Sequence, residues 1–175
     1  MGKTTSLYLL LVLSLMSIAV SATERSYKIE LIIFAQDMPN TEVFEQTESQ
    51  IQWPRRVSSL SAYHAVGSDG RYLKSTYARL SRSHNYQPLL HVAWTQSVNS
   101  NSWGRAVRIS NPEGTINGFF QIQRGHLVHL KADFEYSVGS TVYRLNEKRR
   151  FKLKETHYLD HPKFGVIARV SPIGD

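Results

Sequence analysis

Thr156–Pro162 reads THYLDHP and brings His157, Asp160 and His161 into one short segment. Two imidazoles and a carboxylate can hold zinc with water in the fourth position. The spacing argues against it here. A His-x-x-x-His pair presents one face only on a helix, and Pro162 disfavours helical backbone at His161. On an extended segment the two imidazoles share a side but lie roughly 13 Å apart at ~3.3 Å per residue. His126 and His129 differ by an odd number, so a strand sends them to opposite faces. Cysteine is absent, which excludes thiolate metal sites, iron–sulfur clusters, a cysteine nucleophile and a disulfide scaffold. No Gly-x-Gly-x-x-Gly follows a strand and no Gly-x-Ser-x-Gly elbow occurs. Fourteen carboxylates allow so many pairs that a two-carboxylate hydrolase finds no selective support. No catalytic residue, metal site or cofactor is assigned on these grounds.

Charge and aromatic side chains say more. Residues 148–154 read KRRFKLK. On one continuous strand Phe151, Leu153 and Glu155 point one way. Arg150, Lys152 and Lys154 then point the other way as a cationic stripe about 13 Å long. Such a stripe attracts anionic polymers, and salt screens the attraction; it also fits an edge strand protected against aggregation. Trp53, Trp94 and Trp103 are candidates for stacking on sugar rings. Trp94 falls in a predicted strand and reads as core, whereas Trp103 sits in a Ser/Asn turn and is the better exposed candidate.

The elements that position these residues follow from periodicity. Lys3 is the only charge before Glu24, and an apolar run spans Leu7–Val20. That run is short for a membrane span, and Val20 and Ala22 suit a signal-peptidase site before Thr23. A cleavable leader over 1–22 and one domain over 23–175 are expected, with no transmembrane segment after cleavage. The whole chain of 175 residues carries 21 Lys+Arg against 14 Asp+Glu. Removing the leader takes only Lys3 from its +7. Glu24–Glu48 is acidic at −4 and the remainder basic at +10. Export makes peptidoglycan carboxylates, anionic headgroups or an acidic protein patch better partners than nucleic acid. Tyr27–Ala35 alternates as a strand buried on both faces towards its end. An irregular acidic segment follows at about 37–56. Leu73, Tyr77, Leu80 and His84 lie on one face of a helix over Asp69–Asn85, with Asp69 as N-cap. Leu89–Ser97 is a strand, and from Ile116 onward the pattern is a meander: Ile116–Gln123, His126–Val138, Val142–Leu145, Lys148–His157 and Phe164–Val170. In His126–Val138, the face holding His129, Lys131, Asp133 and Glu135 is the wetter one. The fold class is α+β, a mainly antiparallel sheet with one principal helix packed on it.

Three stretches in this order, YKIELIIFAQ at Tyr27–Gln36, YQPLLHVAWTQ at Tyr86–Gln96 and KRRFKLKETHYLDHPKFGVIARV at Lys148–Val170, resemble the CsiV family of periplasmic peptidoglycan-binding proteins of Gram-negative bacteria. The ending is the most specific part: Glu155, His157-Tyr158, Asp160-His161-Pro162 and Phe164-Gly165. The resemblance implies a noncatalytic periplasmic protein that supports cell shape. It also implies peptidoglycan as a partner, together with an outer-membrane lipoprotein that activates a cell-wall synthase. It carries no agreed ligand-binding residues. Arg150, Lys152, Lys154 and Trp103 are therefore binding candidates on charge and exposure. Glu155, His157, Asp160, His161, Pro162 and Gly165 read as an architectural motif, with Asp160 capping the turn as an Asx residue and Gly165 allowing close backbone approach. The rival readings are a small cell-wall hydrolase acting through His157, Asp160 and His161, and a structural envelope module that binds no glycan.

Overall fold

The structure is a computed structural model and describes residues 24–36, 48–125 and 127–174. The expected leader and most of the acidic segment lie outside the described residues. Two sheets carry the fold. The first has the order β10 (Thr156–His161), β11 (Phe164–Pro172), β1 (Glu24–Gln36), β4 (Tyr86–Asn99), β3 (His64–Ala65). The second runs β2 (Val57–Ser59), β6 (Ala106–Ser110), β7 (Ile116–Arg124), β8 (Val128–Val138), β9 (Thr141–Phe151), and β5 (Ser102–Trp103) pairs with β7. Among these strand pairs only β2 with β6 is parallel. The fold is α+β with sheet dominant, as expected.

Strand alternation builds the core. Tyr27, Ile29, Leu31 and Ile33 of β1 share one cluster with Trp94 and Val98 of β4 and with Val166, Ala168 and Val170 of β11. Val107, Ile109, Phe120, Ile122, Leu130, Phe134 and Leu145 of the second sheet complete it. The inner faces of the two sheets thus pack on one another, the arrangement by which two half-apolar sheets both lose water. Trp94 is fully buried, and its indole N–H donates to Gln96 Oε1 at 3.2 Å. On the other side of the first sheet, Ile32 and Phe34 meet Leu73, Leu80 and Ile167. This is why β1 is apolar on both faces: α1 (Lys74–Ser81) forms a third layer there.

The helix is shorter than its periodicity suggests. Ser68–Gly70 is a separate 3-10 turn, and Leu73 occupies the cap position without a side-chain cap bond. Asp69 is not the N-cap; its exposed carboxylate contacts Lys74 at 3.7 Å and accepts from the Ser68 hydroxyl at 3.4 Å. The N–H groups of Tyr72 and Leu73 donate instead to the Glu30 carboxylate of β1, at 2.8 and 2.9 Å. A buried anion on the neighbouring strand thus does the work of a capping side chain.

The meander differs from expectation in two places, besides the expected break between Val142–Leu145 and Lys148, which instead lie on one strand, β9. Asp133 and Glu135, predicted on the wetter face of β8, are both buried. The strap over residues 48–56 crosses them, its Gln50 and Gln52 N–H groups donating to Glu135 and Asp133 at 2.6 and 3.0 Å. Arg144 binds Asp133 in a fork, 2.8 Å on each arm, and Asn146 donates at 2.9 Å. Second, Lys148–His157 is not one strand. β9 stops at Phe151, and β10 begins at Thr156 in the other sheet. The chain turns between them through Lys154, which takes a left-handed φ of 66° and whose N–H reaches Val170 O at 2.8 Å.

Candidate functional site

The outer face of the second sheet gathers the cations and two of the three tryptophans. Leu145 and Phe151 of β9 point into the core, so Arg144, Asn146, Lys148 and Arg150 point outward. Register places Lys148 opposite Lys131, and Arg150 opposite His129. Across β7, Gln121 adjoins Lys131 and Gln123 adjoins His129. The face therefore carries two cross-strand rows: Gln121, Lys131, Lys148, and then Gln123, His129, Arg150. Trp103 pairs with Gln123 from β5, and Lys148 Nζ lies 5.7 Å from its ring centroid. At the other end Trp53, 40% exposed, leans on Phe119 at 5.7 Å, with the Arg108 guanidinium 5.2 Å from its ring. Phe119 and Gln123 are four residues apart on β7, so the indoles bracket the cations over roughly 13 Å of strand.

Electrostatics divide this face. Asp133 and Glu135 are spent on Arg144, Asn146 and the strap, and the Asp133 hydrogen bonds raise the Arg144 pKa. Among the described residues Lys131, Lys148 and Arg150 pair with no carboxylate. Lys131 lies over the Phe119 ring at 5.5 Å and Lys148 over Trp103. An exposed sheet face with cations that pair with no carboxylate, amides and two flanking indoles suits an extended, hydroxylated, anionic polymer held by stacking and charge.

The predicted stripe is rearranged. Arg150 is exposed on this face and Trp103 half-buried at its rim. Lys152 and Lys154 are in the turn after the strand end, not on the strand, so no single-strand stripe forms. Lys152 contacts Glu155 at 3.6 Å. Arg149 is not a free cation: it donates to Tyr158 O and contacts Glu147 at 3.3 Å, bridging the second sheet to β10 of the first. Lys131, which sequence reasoning did not single out, replaces the two turn lysines beside Arg150. Only the β8–β9 register identifies it.

The C-terminal motif forms the β10–β11 hairpin, where Asp160 faces Gly165 and His161 faces Phe164 across Pro162-Lys163. His157, Leu159 and His161 share the inner side of β10, since Leu159 is core. His157 packs edge-on to Phe151, and its Nε2 is 3.0 Å from Lys152 O, bracing the turn. His161 Nδ1 accepts the Lys163 N–H at 3.2 Å, between the rings of Tyr143 and Phe164. Its pKa is lowered, because burial opposes the charge more than Asp160 favours it. Asp160 stands on the opposite side and caps no backbone. It accepts from the Tyr158 hydroxyl at 2.6 Å and from Gln36 Nε2 at 3.2 Å. Burial and the bond to Asp160 push the Tyr158 pKa up. The Asx-cap expectation fails because His161 itself satisfies the turn N–H. Among the described residues no three His, Asp or Glu side chains come together as a metal set.

Fold and face together define a helix-backed, two-sheet domain presenting a cationic, aromatic surface. The family model of the peptidoglycan-binding protein CsiV matches residues 61–173, and the chain belongs to that family. The match includes the Tyr86–Gln96 and Lys148–Val170 stretches; β1 lies before it. No curated protein and no solved structure matches. No helix among the described residues is long and apolar enough to cross a membrane.

Proposed function

We propose that the protein is a noncatalytic periplasmic adaptor that holds peptidoglycan on the outer face of the second sheet and supports envelope integrity and cell shape. The observation that carries this reading is the unpaired set Lys131, Lys148 and Arg150 between Trp53 and Trp103. The family's ligand is the anionic wall polymer, whose stem peptides supply carboxylates and whose glycan supplies faces for indoles. Lys152 and Lys154 extend positive charge past the strand end and add long-range attraction. A contact with an outer-membrane lipoprotein that activates a cell-wall synthase belongs to the same reading. The noncatalytic part is supported by the hairpin: one ring nitrogen of His157, one of His161 and Oδ1 of Asp160 are engaged in hydrogen bonds that brace it, and Asp160 faces away from both imidazoles.

Co-sedimentation with purified sacculi tests it. Wild-type protein is expected in the pellet at low salt and increasingly in the supernatant as salt rises, because exposed charges are screened. The combined Lys131→Gln, Lys148→Gln, Arg150→Gln variant should stay in the supernatant at every salt concentration with its Tm unchanged. Equal retention of variant and wild type removes the face from the proposal, and release of soluble muropeptides by the wild type removes the noncatalytic role.

A further inference from the structure

Beyond the rim at Trp103 lies a polar pocket of about 350 Å³, whose lining includes Glu24, Arg56, Tyr63, Gln96, Trp103 and Arg105. Its two arginines come from adjacent strand ends. β2 and β6 run parallel with Val57 opposite Ala106, and the Ala106 N–H donates to Arg56 O at 3.3 Å. Arg56 and Arg105 therefore sit side by side, one strand spacing apart, about 4.8 Å. Both are exposed, and among the described residues neither is ion-paired. Two guanidinia converging on one pocket repel one another, and Glu24 is the single acid in its lining. The pocket wall is built rather than incidental. Buried Gln96 holds Arg105 O through its Nε2 at 2.9 Å. A Cβ at Gly104 would lie 3.0 Å from Val98 Cγ2, 3.2 Å from Gln96 Nε2 and 3.3 Å from Ile122 O, so a side chain there would press on the wall by a few tenths of an ångström.

We infer that this pocket takes the free carboxylate of a short peptide, with Arg56 and Arg105 as its planar, forked donors and Tyr63 and Trp103 flanking a small side chain. Guanidinium pairs match a carboxylate's two oxygens in geometry as well as sign. The inference deepens the proposed function and rests on it for its source. Trp103 borders both pocket and cationic face, so a glycan strand lying on the sheet would deliver its stem peptide here.

Calorimetric titration of the protein with the dipeptide Ala-Ala and with its C-terminal amide tests the inference without glycan. The free acid should bind and the amide should bind at least tenfold more weakly. Arg56→Gln and Arg105→Gln should each weaken the acid at least tenfold, and Glu24→Gln should tighten it a few-fold by removing the competing anion. These side chains are exposed, and unchanged melting curves confirm that the variants are folded. If acid and amide bind alike, or if the acid binds the arginine variants as it binds wild type, the carboxylate pocket is overturned. Failure of the dipeptide beside salt-sensitive sacculus retention overturns the pocket and leaves the face standing. Dipeptide binding that depends on both arginines supports the pocket even where sacculus retention is lost.

Discussion

Glu30 shows how one residue can join layers. It lies 1% exposed in the middle of the apolar run of β1, where an isolated carboxylate would be strongly disfavoured. Burial pushes its carboxyl up, yet the His91 bond at 2.8 Å and the Tyr72 and Leu73 N–H groups leave it below its ordinary 4.5. His91 is held in turn by the Tyr77 ring stacked on it at 4.9 Å. Removing the carboxylate strands two backbone N–H groups at the entry to α1 and an imidazole at once. Glu30→Ala should therefore cost about 3 kcal/mol, a fall in Tm of roughly 6–12 °C for a domain this size. Thermal melts of the variant check this, and a change under 1 kcal/mol would mean that the carboxylate is not what fixes α1. The role was not legible from β1 alone. Alternation places Glu30 opposite the core face, but its partners are 42 to 61 residues away, and only the β1–β4 register brings His91 near. Trp94 was legible, because its own strand's alternation places it inside.

The β10–β11 hairpin makes the corresponding point for an element. The sequence reads Lys148–His157 as one strand because Lys152–Glu155 contains neither glycine nor proline to mark the turn that is there. Lys154 supplies the left-handed residue instead. That single substitution of a long cation for the usual glycine conceals β10, splits the expected stripe and moves the chain from one sheet to the other. Gly165, by contrast, carries the close approach expected of it: a Cβ there would come within 2.6 Å of both the Phe34 and Tyr158 rings, which stack at 6.0 Å across it. Gly165→Ala should separate those rings and destabilise by about 1–3 kcal/mol. Asp160→Ala removes one acceptor each from the Tyr158 hydroxyl and the Gln36 amide, which keep Gln36 Oε1 at 3.2 Å and His161 O at 2.6 Å, and about 1 kcal/mol is expected. Denaturant melts measure both. The sacculus retention of the folded variants should match wild type, because the hairpin belongs to the first sheet and Lys131 and Lys148 lie on the outer face of the second. Retention lost with stability intact would instead make the hairpin part of the binding surface.

Across the whole molecule, two lowered pKa values in different layers predict a common weakness to acid. His161, wedged between the hairpin and the Tyr143 and Phe164 rings, titrates below its ordinary 6.5 because burial disfavours the imidazolium. The unfolded chain then binds more protons than the native one as pH falls below 6.5, so stability is full above that value and declines towards the folded pKa. Glu30 adds a second decline of the same sign: its contribution is present above 4.5 and is lost as pH falls through its lowered folded value. Because the two groups sit on opposite sides of the first sheet, and that sheet shares one core with the second, their losses should appear in a single unfolding transition. Tm measured in constant ionic strength should therefore be flat well above pH 6.5, fall as pH drops through 6.5 towards the lowered imidazole pKa, and fall again below 4.5. His161→Gln should flatten the first fall and leave the second in place. A wild-type Tm that stays level as pH falls below 6.5, or a variant that keeps the first decline, would show that the hairpin imidazole is not the titrating group.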